Sequence, residues 1–181
     1  MSRFKNLQKQ LGFFTAVSFY RKLKSGNLSN LRTGNLVHQF NLRNNPFDYA
    51  TFEEVILNEA YNIPFGFEPK FIIDGGGNIG LTACFFASKF PAAAIITIEP
   101  DTDNYNLLQL NCKAYANIQT LQCGIWKNDT HLKIENTHAG NNAFTVIETK
   151  EAGADTIKAL TVLSVMEQFN MPHIDVLELD I

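Results

Sequence analysis

The sequence has few cysteines, a single tryptophan, no long apolar run and no excess of basic residues. Its three cysteines form no C-x-x-C pair and its four histidines form no metal-ligating pattern such as H-E-x-x-H, so we predict no metal site. No apolar stretch approaches the roughly 20 residues that span a bilayer, so we predict no transmembrane segment. A formal net charge of −3 argues against a nucleic-acid partner, because binding to phosphates needs a basic surface.

The composition is that of one folded domain. The 181 residues are 45% hydrophobic and 18% charged, which is typical of globular proteins and provides enough chain for one sizeable core. We expect a cytoplasmic protein, because scattered cysteines suit a reducing compartment and the N-terminus lacks a secretory signal pattern. We assign residues 1–35 to an N-terminal amphipathic helix and linker, and residues 36–181 to the main domain.

An amphipathic helix is predicted over residues 3–24. Apolar residues recur every three or four positions among basic ones, Gly12 interrupts the pattern early, and Ser25-Gly26-Asn27 ends it with turn chemistry. A helix of this type either packs against the flank of the domain or contacts a membrane surface or a partner. The pattern favours packing against the flank and leaves membrane-surface contact as the alternative.

Strand and helix patterns alternate along the rest of the chain. Apolar runs predict strands at residues 71–73, 95–98, 118–123 and 174–181, and helical patterns predict helices at 81–90 and from 101 or 102 to 115. Weaker patterns predict five more elements: a strand at 36–42, a helix at 51–61, a hairpin of 131–135 with 144–148, a strand at 156–162 and a helix opened by a capping box at 164–167. This alternation indicates an α/β fold, a parallel sheet with helices on both faces.

A glycine-rich turn follows the strand at 71–73. The spacing Gly75-x-Gly77-x-x-Gly80 matches the fingerprint of dinucleotide sites, in which glycines let backbone N–H groups approach a ligand. Asp74 places a carboxylate beside this turn, where it would repel a pyrophosphate but can accept hydrogen bonds from the ammonium group of S-adenosyl-L-methionine (SAM). Glu99 closes the next strand, where an acid can bind both ribose hydroxyls. Together these residues predict a ligand site.

The end of the third predicted strand offers a position for a flat ring. Gly124, Ile125 and Trp126 stand there, and an apolar or aromatic side chain at this point can stack on an adenine. Trp126 taken alone is equally consistent with packing in the core or on the flank of the domain.

Four segments, taken in order, resemble one family, the FkbM-type SAM-dependent methyltransferases. The segment FIIDGGGNIG, which ends at Gly80, resembles the family's I-D-x-G-A-N-x-G, with Gly77 where alanine is usual. Asn78 in this turn distinguishes the pattern from other class I methyltransferases, which tend to have glycine there.

The other three segments lie on both sides of this turn. The segment IEPD, which begins at Ile98 and is followed by Asn104, resembles E-P-x-x-x-N-x-x-x-L. The stretch that begins with NPFD at Asn45 resembles the region before the family's first strand. The segment IDVLELDI, from Ile174 to Ile181, resembles the opening of I-D-x-L-K-x-D-I-E-G-A-E.

The resemblance implies a Rossmann-like class I methyltransferase sheet that transfers a methyl group from SAM to an oxygen, often a hydroxyl of a sugar or natural product. It implies that Glu99, with Pro100 beside it, holds the ribose, and that Gly124, Ile125 and Trp126 border the adenine. The residues implied for the methionine part are those of the turn: Asp74, Gly75, Gly76, Gly77, Asn78 and Gly80.

Asp180, at the tip of the final strand, would by the same resemblance face the methyl group and the acceptor. A base is needed only to remove the hydroxyl proton of the acceptor, because the sulfonium of SAM is already an activated donor. Asp180 is our candidate for this base. Its alternative role is to hold the acceptor or to cap a following helix.

The chain ends at Ile181, inside the last of these motifs. The E-G-A-E continuation and the C-terminal strands of a complete methyltransferase sheet are absent, so we expect a fragment or a truncated gene product. Its final strand would be an apolar edge that aggregates or pairs with a second chain, which predicts a homodimer as one outcome. A small-molecule or glycan hydroxyl is the expected acceptor, and a non-catalytic SAM-binding remnant and an NAD-dependent oxidoreductase are the alternative functions.

Overall fold

The structure, a computed structural model, describes residues 3–134, 146–153 and 155–180. The helices in these ranges are α1 (Arg3–Leu11), α2 (Phe13–Ser25), α3 (Pro46–Phe52), α4 (Leu81–Lys89), α5 (Thr102–Cys112) and α6 (Val162–Gln168). The strands are β1 (Phe71–Gly75), β2 (Ala94–Ile98), β3 (Ile118–Leu121), β4 (Gly124–Ile125), β5 (Thr130–Ile134), β6 (Val146–Thr149), β7 (Thr156–Leu160) and β8 (Val176–Leu179).

Four parallel strands form the main sheet, in the order β3-β2-β1-β8. Phe71 of β1 is in register with Ala94 of β2, and Ile72 of β1 is in register with Val176 of β8. This order and direction are compatible with a Rossmann-like fold, in which the first strand lies beside the second and the fourth. The predicted α/β fold with a parallel sheet is confirmed.

Consecutive residues of β1 face opposite sides of the main sheet. Ile72 lies in a large core shared with α1 to α5, whereas Ile73 lies in a second core with Val165 of α6. Ile125 of β4 and Leu160 of β7 also belong to this second core. Helices therefore cover the first face, while α6 covers the second face together with strands.

A second sheet, which the sequence patterns did not predict as a separate unit, has the order β4-β7-β5-β6. Strands β5 and β6 are antiparallel, which agrees with the predicted hairpin, although residues 135, 144 and 145 of that prediction lie outside the described ranges. The predicted third strand at 118–123 is too long, because β3 ends at Leu121 and Gly124–Ile125 pairs with β7 in the second sheet.

The N-terminal pattern is confirmed as two helices. Gly12 has a φ of 76° and separates α1 from α2, and Gly26 ends α2 in the left-handed conformation that favours glycine. Leu7 of α1 and Phe19 of α2 are buried in the large core, so both helices pack against the domain. The boundary between residues 35 and 36 stays a prediction.

Before β1, one predicted element is absent and another has different bounds. Residues 36–42 form no strand. They make one isolated antiparallel bridge, between Phe40 and Leu31, and the N–H group of Asn41 donates to the side chain of Asn111 on α5. The helix predicted at 51–61 begins earlier, because the side chain of Asn45 accepts a hydrogen bond from the N–H of Asp48 and caps α3. A π-helical turn, Glu53–Leu57, then ends it.

The predicted capping box at 164–167 is also wrong. Thr161 caps α6, because its side-chain oxygen accepts a hydrogen bond from the N–H group of Ser164 at 3.0 Å. The Ser164 hydroxyl instead donates to Asp129 at 2.6 Å.

Strand β8 is shorter than predicted and forms the last strand of the main sheet within the described ranges. Among the described residues, no helix has the length and apolar character needed to cross a membrane.

Candidate functional site

The glycine-rich turn joins β1 to α4 at the carboxyl end of the main sheet. Gly76 and Gly80 have positive φ angles of 91° and 83°, and Asn78 has a φ of 49°. Asparagine is one of the few residues with a side chain that tolerates this left-handed conformation. The shape of the turn thus explains why glycine and asparagine occupy these three positions.

Protein atoms fill the space that side chains would need at the centre of the turn. A Cβ atom at Gly76 would overlap the backbone carbonyl of Asp180, and one at Gly77 would overlap the hydroxyl of Thr97. These glycines therefore let the turn pack closely against β2 and against the residue that follows β8. Their first role is structural, and any ligand would meet the outer side of the turn.

Four N–H groups of the turn form hydrogen bonds inside the protein. Each of these bonds is between 2.7 and 2.9 Å long: Gly76 and Gly77 donate to the carbonyl of Ile98, Asn78 donates to Oε2 of Glu99, and Gly80 donates to the carbonyl of Gly77. A phosphate bound at such a turn needs free N–H donors. Gly76, Gly77, Asn78 and Gly80 already use theirs inside the protein.

Glu99 follows β2 and connects the turn to the start of α5. Its side chain is only 6% exposed, and its Oε1 accepts a hydrogen bond from the N–H of Asp101 at 2.9 Å. Burial raises the pKa of Glu99, and the N–H groups of Asp101 and Asn78 oppose this rise. Each carboxylate oxygen has a second lone pair, so Glu99 keeps capacity to accept from ligand hydroxyls.

Asp74 is fully buried beneath the turn. Its Oδ2 accepts a hydrogen bond from the hydroxyl of Thr97 at 2.7 Å, whereas its Oδ1 has no donor among the described residues other than a protonated Glu178. Burial raises the pKa of Asp74, and the hydrogen bonds from Thr97 and Glu178 oppose this rise. A buried carboxyl group whose neighbouring donor is a second carboxyl group is a place where a ligand donor would be favourable.

Glu178 on β8 is a site residue that the sequence analysis missed. It is in register with Asp74 across the β1–β8 pair and is partly buried. Burial and the charge of Asp74 raise the pKa of Glu178 to about 8. The hydroxyl of Tyr61 donates to its Oε1 over 3.4 Å, and burial raises the pKa of Tyr61 to about 12. The available signal was the glutamate at a position where the quoted motif has lysine.

Asp180 lies beside the turn, as its predicted position requires. Its backbone N–H donates to the carbonyl of Gly75 at 2.9 Å, and its side chain is exposed. Asp74, Glu178 and Asp180 thus place three carboxyl groups around one end of β1 and β8. Within the described ranges no group of His, Cys, Asp and Glu has the arrangement of a metal site.

The residues predicted around the adenine separate into two groups. Ile125 packs close to Gly75 and so lies at the turn. Trp126 instead belongs to the second sheet, where its indole N–H donates to Glu148 of β6 at 2.9 Å. Gly124 packs near Ala159 of β7.

Pro100 lies on a different feature, an open cleft of about 390 Å³ beyond the carboxyl ends of β2 and β3. The cleft is also lined by Gln122, which follows β3, and by Ile157 and Lys158 of β7. The structure therefore brings Asp74, the turn, Glu99, Ile125 and Asp180 together, with the cleft at Pro100 beside Glu99.

Comparison with known proteins found two similar curated proteins, both named as methyltransferases. The chain is 29% identical over 85 residues to Methyltransferase 1 of Beauveria bassiana (strain ARSEF 2860). The aligned region covers 45% of this chain and 34% of that protein. It is 32% identical over 77 residues to Methyltransferase sdnD of Sordaria araneosa. That aligned region covers 41% of this chain and 30% of the relative. The chain thus matches about a third of the length of each relative. No protein-family model matches the sequence.

Proposed function

We propose that this chain is the SAM-binding part of a methyltransferase of the FkbM type, which methylates a hydroxyl oxygen of a sugar or natural product. Two proteins named as methyltransferases resemble parts of the chain, and the order of the main sheet suits a class I methyltransferase. The observation that carries the proposal is the polarity of the turn: four of its N–H groups are used internally, while the carboxyl groups of Asp74, Glu178 and Asp180 surround its start.

This polarity favours a cationic ligand over an anionic one. SAM has an ammonium and a sulfonium group, whereas NAD presents a pyrophosphate to the corresponding turn. Asp74, Glu178 and Asp180 offer carboxyl oxygens that accept hydrogen bonds from an ammonium group, whereas a pyrophosphate has no donor to give them. The residues present therefore fit SAM, and they argue against the NAD-dependent alternative.

Each part of the ligand has a group of residues that suits it. Asp74 and the turn from Gly75 to Gly80 would hold the methionine part, and Glu99, beside Pro100, would accept from the ribose hydroxyls through its remaining lone pairs. The adenine would lie toward the cleft beside Pro100. Of Gly124, Ile125 and Trp126, Ile125 is the one that packs near the turn.

SAM supplies a methyl group that its sulfonium charge already activates. The task left to the chain is to orient the acceptor oxygen toward that methyl group, to exclude water and to remove one proton. Asp180 is exposed beside the turn and is the candidate that removes the proton. Glu178, with its raised pKa of about 8, holds its own proton near neutral pH and so keeps the total charge of the cluster low before ligand binding.

Calorimetric titration of the chain with SAM, S-adenosylhomocysteine and NAD tests the cofactor. We expect the first two ligands to bind and NAD not to bind, and we expect Asp74→Asn to weaken SAM binding. Tight binding of NAD without binding of SAM would overturn the proposal. Transfer of a labelled methyl group from SAM to a panel of sugars and hydroxylated natural products tests the reaction, and SAM binding without any transfer would support the non-catalytic alternative.

A further inference from the structure

The outer surface of α2 exposes two aromatic rings beside the break at Gly12. The side chain of Phe14 is 87% exposed and that of Phe13 is 56% exposed. Their ring centroids are 5.6 Å apart and the rings meet edge to face. Most large aromatic side chains are largely buried in folded proteins, so an adjacent exposed pair is a candidate contact surface.

The periodicity of α2 separates this surface from the core. Ala16 and Phe19 are buried, and they lie on the inner side of the helix. Phe14, Ser18 and Arg21 follow one another at spacings of four and three, which places them on the opposite side. One side of α2 thus packs against the core, and its other side is exposed to solvent.

Charge in the chain is divided sharply between its N-terminal quarter and the rest. Residues 1–47 contain eight lysines and arginines and no aspartate or glutamate, whereas residues 48–181 contain seven basic and 18 acidic residues. The net charge of −3 is therefore the sum of a strongly basic segment, residues 1–47, and an acidic remainder. This segment includes α1 and α2, and it sits on a domain that is otherwise acidic.

Basic and aromatic side chains line the same two surface clefts. One cleft, of about 510 Å³, is lined by Phe13, Phe14, Val17, Ser18, Arg21 and Lys22. The other, of about 370 Å³, adds Arg32 and shares Phe14, Ser18 and Lys22 with the first. Neither cleft has an acidic residue in its lining. We call Phe13, Phe14, Arg21 and Arg32 the α2 surface and leave out Lys22, whose ammonium group donates to the backbone carbonyls of Ser29 and Asn30.

We propose that the α2 surface docks on an anionic membrane, with Phe13 and Phe14 inserted at the level of the lipid headgroups and the basic side chains against lipid phosphates. Exposed aromatic rings with basic residues around them are the combination that binds the interface of an anionic bilayer. The partner must be anionic because the segment has no acidic residue. A bilayer also offers an apolar region below its charged headgroups, where the rings of Phe13 and Phe14 can be buried. A free phosphate ion offers no such region and would leave both rings in water. This proposal does not depend on the function assigned to the glycine turn.

Flotation of the full chain with lipid vesicles tests the proposal. We expect binding to phosphatidylcholine vesicles that contain phosphatidylserine, little binding to phosphatidylcholine alone, and weaker binding as salt is raised. The double variant F13S/F14S should lower the partition coefficient at least about tenfold, since two apolar side chains leave the interface. Arg21→Gln and Arg32→Gln should each lower it by about fivefold. Both arginines are exposed, so neither change threatens the fold.

Matched controls replace residues of the same kind elsewhere on the surface. Leu163 on α6 is 69% exposed, so Leu163→Ser removes an exposed apolar side chain outside the α2 surface. Lys113→Gln and Lys133→Gln remove exposed charges outside residues 1–47. We expect all three controls to bind vesicles as the unchanged chain does, and circular dichroism should confirm that every variant is folded.

Four results would overturn the proposal. They are equal binding to neutral and anionic vesicles, no binding to either, unchanged binding by F13S/F14S, and preferential binding to a single-stranded RNA oligonucleotide. Sedimentation of the chain without lipid provides a further test. Self-association that F13S/F14S abolishes would assign the α2 surface to contact between copies of the chain and would also overturn docking on a membrane.

Discussion

Asp74 and Glu178 lie directly opposite each other on the neighbouring parallel strands β1 and β8, so two carboxyl groups share one end of the main sheet. The same register continues to Thr97 on β2, whose hydroxyl donates to Asp74. A polar row therefore crosses three strands on the side of the sheet that faces the large core. The row has more acceptors than donors, and burial of its two carboxyl groups raises the pKa of both Asp74 and Glu178.

The paired carboxyls predict that stability falls as pH rises toward 8. In the folded chain burial and Asp74 hold the pKa of Glu178 at about 8, whereas its ordinary value is 4.5. Between these two values the folded state binds more protons than the unfolded state, so the free energy of unfolding decreases with rising pH and levels off above about pH 8. Asp74, whose pKa is also raised, acts in the same direction.

Urea unfolding at a series of pH values measures this effect. Glu178→Gln should flatten the dependence between about pH 5 and pH 8 and should make the chain more stable at pH 8, because it removes a charge from the pair. Asp103→Asn, on α5 away from the pair, is the matched control. An unchanged slope in Glu178→Gln would show that Glu178 does not titrate in this range.

Thr97→Val should destabilise the fold by about 1–3 kcal/mol, because it removes the hydroxyl that donates to Asp74 and leaves a buried carboxylate without that donor. Thr97→Ser keeps the hydroxyl and should cost less. The free energy of unfolding in urea distinguishes the two variants. Equal stability of the serine and valine variants would mean that the hydrogen bond contributes little.

Gly76→Ala should destabilise the fold by about 2 kcal/mol or more, because the φ of 91° is unfavourable for alanine and the new methyl group would overlap the carbonyl of Asp180. Gly124→Ala provides the comparison, since a Cβ atom there meets its nearest neighbours at 3.8 Å, an ordinary contact distance. Thermal unfolding of the two variants should therefore give clearly different midpoints. A Gly76→Ala variant as stable as Gly124→Ala would contradict the described turn.

The strand, turn and helix from β1 to α4 were predictable because their signals are local. A short apolar run, glycines at fixed spacing and a helix rich in alanine and phenylalanine all occur within about 20 residues of Phe71, where periodicity and turn chemistry determine the backbone. Asp74 and Glu99 followed from the same signals, since the ends of adjacent parallel strands meet at one edge of the sheet.

What the sequence did not predict depends on contacts between distant residues. Alternation at residues 36–42 resembled a strand, but the N–H of Asn41 finds a side-chain acceptor on α5 and a single bridge at Phe40 replaces a ladder. Glu178 became a site residue through its register with Asp74, and register follows from the pairing of strands far apart in sequence. The position of Trp126 likewise depends on the second sheet.

Glu99→Gln should weaken both the turn and the binding of SAM. Glu99 accepts hydrogen bonds from the N–H groups of Asn78 and Asp101, and the amide nitrogen of glutamine cannot accept one of them, so we expect a loss of about 1–3 kcal/mol in the free energy of unfolding. Calorimetry with SAM at a temperature where the variant is folded measures the loss of affinity. Affinity equal to that of the unchanged chain would remove Glu99 from the proposed ribose site.

Asp180→Asn separates catalysis from binding. Asp180 is exposed and contributes its backbone N–H, rather than its side chain, to the contact with Gly75, so the variant should keep its stability and most of its affinity for SAM. If the carboxylate removes the acceptor proton, methyl transfer should fall by about 10²–10⁴-fold. Asp180→Glu, which keeps a carboxylate, should restore part of the activity. Normal turnover in Asp180→Asn would make Glu178 the next carboxyl to substitute, because it is the other partly accessible acid beside the turn.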